Sequence, residues 1–113
     1  MAANTDEIKR RESAARTAIE RAFGTPAGED SIDCFIEHHL EELDGAYWRA
    51  HAGVDQPDGA RVLAMLQLKS HWSSDTEDGM DVFDFTLPGD VTAYVVSVRF
   101  DAKGDVSDVS MES

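Results

Sequence analysis

The densest group of side chains that could take part in chemistry runs from Cys34 to Glu42, with the sequence Cys-Phe-Ile-Glu-His-His-Leu-Glu-Glu. Cys34 and His38 are four residues apart and Glu41 follows three residues later, so a helix would place all three on one side. Thiolate, imidazole and carboxylate groups are ligands that zinc accepts. The pattern gives Cys34, His38 and Glu41 as candidate metal ligands that more distant residues would have to complete. The HEXXH and paired CXXC signatures are missing, and a solvated helix face is the commoner arrangement.

His39 differs from His38 because the same helical spacing places it on the apolar side, beside Phe35 and Leu40. A histidine at such a position must form hydrogen bonds, and burial would shift its pKa. Most histidines of this kind are structural. A catalytic role would need a carboxylate facing the ring, and the sequence assigns none. No catalytic residue is therefore predicted.

A second group of candidates combines aromatic and histidine side chains. Such residues could line a small-molecule pocket where the helices meet the sheet, although tryptophans in small domains more often pack in the core or at its rim. The candidate pocket residues are His39, Tyr47, Trp48, His71 and Trp72.

Other motifs for chemistry are incomplete. The acidic turn at 73–79 suggests calcium, but counting from Asp75 places Met80 where an EF-hand needs glycine, and the twelfth position lacks glutamate. The glycine-rich loops that bind nucleotides are missing, as is the turn that presents a nucleophilic serine. The sequence therefore predicts no cofactor.

In the first part of the chain, the apolar residues are spaced as in helices. One helix fills residues 4–23 and stops at Gly24, before a break rich in Gly and Pro at 24–28. A second begins near Asp30 and continues to Leu43. A third begins at Pro57, and residues 46–51 form a further turn or two.

In four later segments, apolar residues alternate with polar ones, and this alternation predicts β-strands. Leu68, Ser70 and Trp72 are expected on one face of the first strand. A hairpin that places Phe100 opposite Val106 also places Val95 opposite Met111 and leaves apolar residues on both faces of the last strand, so the helix-covered face stays unassigned. The predicted fold class is α+β, with three N-terminal helices packed on one face of a four-stranded antiparallel meander sheet.

The chain has 113 residues and a formal net charge of −13, with 10 basic and 23 acidic residues. That length predicts one domain with its own core. Residues 1–23 carry a net +1 and residues 24–113 a net −14. We therefore divide the chain into a basic N-terminal helix at 1–24 and an acidic body at 25–113, with the helix either docked loosely on the body or forming a mobile arm. The charge argues against partners that are nucleic acids or anionic membranes.

The compartment prediction depends on features that the sequence lacks. Cys34 is the only cysteine, so no intramolecular disulfide is expected. An apolar leader and a membrane-spanning stretch are not found, and a cytoplasmic protein is predicted.

Four segments of the chain are similar to a family of small acidic bacterial proteins that is catalogued only as a domain of unknown function. These segments are the helix at 35–43 (FIEHHLEEL) and residues 63–72 (LAMLQLKSHW), 83–92 (FDFTLPGDVT) and 109–113 (VSMES). The resemblance spans roughly 30–113. It implies an α+β fold and a bacterial, cytoplasmic protein, and it transfers no catalytic residues.

Three functional hypotheses follow from the residues. The first is a non-catalytic interaction protein that binds a basic protein partner, as inhibitors or immunity-type proteins do. The second is a small-molecule-binding protein or minor enzyme that uses the aromatic and histidine cluster, with weak metal binding as a variant. The third is self-association through residues 1–24. A genome-wide or salt-adaptation bias would also explain the acidity.

Overall fold

The computed structural model describes residues 2–72, 81–89, 91–101 and 103–112, with side chains from residue 6 onward. The predicted acidic turn at 73–79 lies outside the described residues. Four α-helices precede the sheet, and two short helical turns join the first helix to the second. The helical elements are α1 (Ala2–Ala22), a 3₁₀ turn (Pro26–Gly28), a π turn (Glu29–Asp33), α2 (Cys34–Glu42), α3 (Gly45–Ala52) and α4 (Gly59–Met65).

The α+β class is confirmed, but the described residues form four α-helices where three were expected. The difference arises at α3, which the sequence suggested only as a turn or two. The Asp44 carboxylate accepts a hydrogen bond of 3.0 Å from the Tyr47 amide, which caps the start of this helix. Gly53, with φ of 82°, ends it in the left-handed conformation that glycine adopts without strain.

Four strands form an antiparallel meander in the order β1-β2-β3-β4, as predicted. The helices cover one face of this sheet, where Phe83, Phe85, Val96 and Val98 are fully buried. Among the residues that the structure describes, no helix covers the opposite face, and we call it the open face. The strands are β1 (Gln67–Trp72), β2 (Val82–Thr86), β3 (Val95–Phe100) and β4 (Val106–Glu112).

A bulge in β1 changes which residues reach the open face. Leu68 pairs with Phe85, but Ser70 pairs with Asp84, so Lys69 has no opposite residue on β2. Leu68 therefore points toward the helices, whereas Ser70 and Trp72 lie on the open face. The expectation that these three side chains share a face is wrong, because the bulge adds one residue to the alternation.

A second bulge changes the register of the last hairpin. Phe100 pairs with Val106 as predicted, but Arg99 pairs with Asp108, and the shift leaves Ser107 unopposed. Val95 therefore pairs with Glu112, and the predicted pairing of Val95 with Met111 is wrong. The bulge also corrects the expectation that apolar residues lie on both faces of β4. It turns Val106, Val109 and Met111 toward the same helix-covered side.

Helix α1 packs against the rest of the same chain. Ala15 and Ile19 are buried in the core, although the apolar stripe is narrow. The Arg16 guanidinium donates a 2.8 Å hydrogen bond to the Leu66 carbonyl and lies 5.0 Å from the centre of the Phe85 ring. The apolar side of α1 is therefore occupied within the chain. None of the described helices, α1 included, is long and apolar enough to cross a membrane.

Candidate functional site

His39 lies in the core with both ring nitrogens bonded. It is 1% exposed. Its Nδ1 lies 2.7 Å from the Phe35 carbonyl oxygen, and its Nε2 lies 2.9 Å from Thr92 Oγ1. Because a carbonyl oxygen only accepts, Nδ1 carries the proton and Nε2 accepts from the Thr92 hydroxyl. Burial lowers the pKa of His39, which favours this neutral form. The hydrogen bond between His39 and Thr92 thus connects α2 with the loop that follows β2.

Tyr47 and Trp48 lie together at the start of α3. Their ring centres are 5.1 Å apart, and the Tyr47 hydroxyl donates a 2.7 Å hydrogen bond to the Pro88 carbonyl. Burial raises the pKa of the Tyr47 phenol. Trp48 is buried, and its edge lines a depression of about 420 Å³. Both aromatic residues therefore mainly hold α3 against the rest of the domain.

His71 and Trp72 are separated from these residues and from each other. The His71 ring stacks on Phe83, with 5.4 Å between the ring centres, on the helix-covered side of β1. Trp72 lies on the open face. The structure therefore brings together Tyr47 and Trp48, whereas His39, His71 and Trp72 occupy three other places.

The three candidate metal ligands lie along α2. Cys34 and Glu41 are exposed, and the half-buried His38 ring lies 5.0 Å from the Tyr94 ring, centre to centre. Within the part of the chain that the structure describes, no group of three or more His, Cys, Asp or Glu side chains is placed to hold a metal ion. The additional ligands that this site requires are not found among those residues.

An acidic surface extends along the π turn and α2. Residues 29–44 contain seven acidic residues and no Lys or Arg. A depression of about 610 Å³ lies beside them, and carboxylates form much of its lining. The carboxylates on this side repeat at nearly helical spacing, which gives repulsion between neighbours. We define the acidic face as the side chains of Glu29, Asp30, Asp33, Glu37 and Glu41.

The cations of α1 do not neutralise this face. Between described residues, the ion pairs found all lie inside α1: Arg10 and Arg11 bond Glu7 at 2.7 Å, and Arg16 bonds Glu12 at 3.2 Å. Hydrogen bonds from Arg10 and Arg11 lower the pKa of Glu7 to about 2. The positive helix thus uses much of its charge on itself, and the acidic face stays open to solvent.

The open face of the sheet carries a second candidate site that the sequence did not reveal. Short side chains cross its centre in one row, and longer ones stand on either side. The resulting depression measures about 480 Å³, and we call it the sheet trough. The central row is Ser70, Asp84, Ser97 and Ser110, and the trough is further lined by Lys69, Trp72, Val82, Ala93, Val95, Arg99 and Glu112.

Comparison with protein-family models, curated proteins and solved structures finds no match to this chain. The similarity of residues 30–113 to a bacterial family of unknown function therefore stays a prediction.

Proposed function

We propose that this protein is a non-catalytic interaction protein that binds a basic protein partner through its acidic face. The observation that carries the proposal is the run of residues 29–44, where seven acidic residues occur without one Lys or Arg. The folded chain presents most of these carboxylates to solvent along one helical segment. A surface of this kind attracts cationic partners and accelerates their association.

The energetics of the acidic face support binding by complementarity. Asp33, Glu37 and Glu41 follow one another at four-residue spacing, and like charges at this spacing destabilise a helix by about 0.2–0.5 kcal/mol per pair. A cationic partner would replace this repulsion with attraction. Because α1 pairs Arg10, Arg11 and Arg16 within itself, those charges offer little competition for the face.

The proposal predicts a basic partner whose binding weakens steeply with salt. The full chain, immobilised and incubated with lysate of its source cells at about 50 mM salt, should retain a basic protein in stoichiometric amount. The same protein should be released near 0.5 M salt, where the screening length falls to about 4 Å. Retention is measured by quantitative mass spectrometry. Failure to retain such a protein at low salt, or equal retention at both salt concentrations, would contradict the proposal.

A further inference from the structure

The sheet trough is shaped by the order of side chains across the open face. Along its centre, Asp84 stands between Ser70 on β1 and Ser97 on β3, so the floor is built of short polar groups. Trp72 and Arg99 stand on one side, in the register of Val82. Because successive residues on one face of a strand are about 7 Å apart, the trough is wide enough for a single sugar-sized ring.

Asp84 holds the floor of the trough in a fixed arrangement. Its Oδ1 accepts a 2.5 Å hydrogen bond from Ser97 Oγ, and its Oδ2 accepts bonds of 3.1 Å from Trp72 Nε1 and 3.4 Å from Ser70 Oγ. A carboxylate offers about four acceptor positions, and the described residues fill three of them on Asp84. The hydrogen bond to Nε1 also fixes the indole, whose side chain stays 43% exposed. Trp72 is therefore a preordered aromatic surface beside a preordered acceptor.

Among the described residues that line the trough, the positive and negative charges balance. Lys69 and Arg99 are cationic, whereas Asp84 and Glu112 are anionic. A ligand with a large net charge of either sign would meet like charge, and an apolar ligand would leave these groups desolvated without partners. Hydroxyl groups suit the lining best, because each one both donates to carboxylates and accepts from Lys or Arg.

We propose that the sheet trough binds a neutral, hydroxyl-rich ligand, a saccharide, whose apolar ring face stacks on Trp72 while its hydroxyls bond Asp84, Arg99 and Glu112. An aromatic wall with a few placed polar groups is the usual composition of a small-ligand site. This site lies on the face of the sheet away from α2, so it is separate from the acidic face. Because the hydrogen bonds of a saccharide replace hydrogen bonds to water, the net gain on binding is small, and we expect dissociation constants of about 1 mM.

The chain contains only two tryptophans, which gives a direct readout of the trough. In the ¹⁵N-labelled full chain, the indole N–H of Trp72 reports on the trough, and that of the buried Trp48 is an internal reference. Maltose, cellobiose and diacetylchitobiose are titrated separately to about 20 mM. At least one should shift the Trp72 signal saturably and leave the Trp48 signal in place. Sorbitol, a polyol without a ring face, should bind at least about tenfold more weakly.

Variants separate the trough from the rest of the surface, with binding followed on the saccharide by saturation-transfer NMR. Trp72→Ala should abolish binding and Asp84→Asn should weaken it about tenfold, whereas the control Asp55→Asn, an exposed carboxylate on the helical layer, should bind as the wild type does. The proposal is overturned if no saccharide binds saturably, if Trp72→Ala binds normally, or if sorbitol binds equally well. It is also overturned if the Trp72 signal moves with protein concentration alone, because a second copy would then occupy the trough.

Discussion

Replacing His39 with alanine is expected to lower the free energy of unfolding by about 3 kcal/mol. The ring is 1% exposed, so its removal leaves a cavity between α2 and the loop that follows β2. It also removes the hydrogen bonds to the Phe35 carbonyl and to the Thr92 hydroxyl. Urea denaturation at pH 7 measures the change. The neighbouring His38→Ala, which removes a half-buried ring, should cost less than about 1 kcal/mol and serves as the matched control.

His39 should also make the protein less stable as the pH falls from 7 to 5. Burial lowers the pKa of His39 below 6.5, so the unfolded chain takes up a proton near pH 6.5 and the folded chain does so only at lower pH. The neutral ring therefore makes its full contribution to the free energy of unfolding above about pH 6.5. This contribution decreases as the pH falls below that value, by at most about 1.4 kcal/mol per pH unit.

Other groups titrate in a different window. Arg10 and Arg11 lower the pKa of Glu7, and backbone amides lower the pKa of Asp101. The stability that these two carboxylates contribute is lost only when the pH falls below their ordinary pKa values, near 4.5 for Glu7 and 3.8 for Asp101. His39→Phe should therefore flatten the difference between pH 7 and pH 5 relative to the wild type. An unchanged pH dependence in His39→Phe, or equal destabilisation by the two alanine variants, would contradict this account of the ring.

Neutralising the acidic face should weaken binding of the basic partner about 100-fold, chiefly through slower association. The face variant combines Glu29→Gln, Asp30→Asn, Glu37→Gln and Glu41→Gln. All four side chains are exposed and form no hydrogen bond to another residue that the structure describes, so the fold should be kept. Removal of repulsion between carboxylates is offset by the loss of favourable negative charge in the first turns of the π turn and α2, so the free energy of unfolding should change by less than about 1 kcal/mol. Surface plasmon resonance with the captured partner gives the association rate and the dissociation constant.

The matched control removes the same amount of charge elsewhere. It combines Asp6→Asn, Glu20→Gln, Asp55→Asn and Asp108→Asn, all on exposed side chains outside the acidic face. Both variants therefore have the same net charge. If the acidity serves only solubility or salt adaptation, the two will bind alike. If the acidic face is the interface, the control should keep affinity within about threefold of the wild type.

The sheet was predictable because its strands alternate strongly. Phe83 and Phe85, with Val96 and Val98 on the next strand, repeat at a spacing of two, and these residues form the buried face. The helical spacing of residues in α2 likewise predicted that His39 lies on the side facing the core and that Cys34 lies on the side facing solvent. The strong periodicity of the apolar residues thus made both the fold class and the orientation of α2 predictable.

The bulges were not predictable, and they decide the open face. Each bulge adds one unopposed residue, Lys69 in β1 and Ser107 in β4, and nothing local in the sequence marks either position. Without the first bulge, Ser70 and Trp72 would be assigned to the same face as Leu68. The sheet trough was therefore missed. The acidic run at 29–44 is visible in the sequence, but only the fold shows that α1 leaves it uncovered.

The most direct test of the central claim is a map of amide chemical shifts in the ¹⁵N-labelled chain as the captured basic partner is added at low salt. If the acidic face binds the partner, the largest shifts should fall at residues 29–41, and the Trp72 indole in the sheet trough should stay in place. The shifts should disappear as salt screens the charges. Shifts centred on the sheet trough or on α1, or spread evenly over the exposed carboxylates, would contradict the claim that this face is the interface.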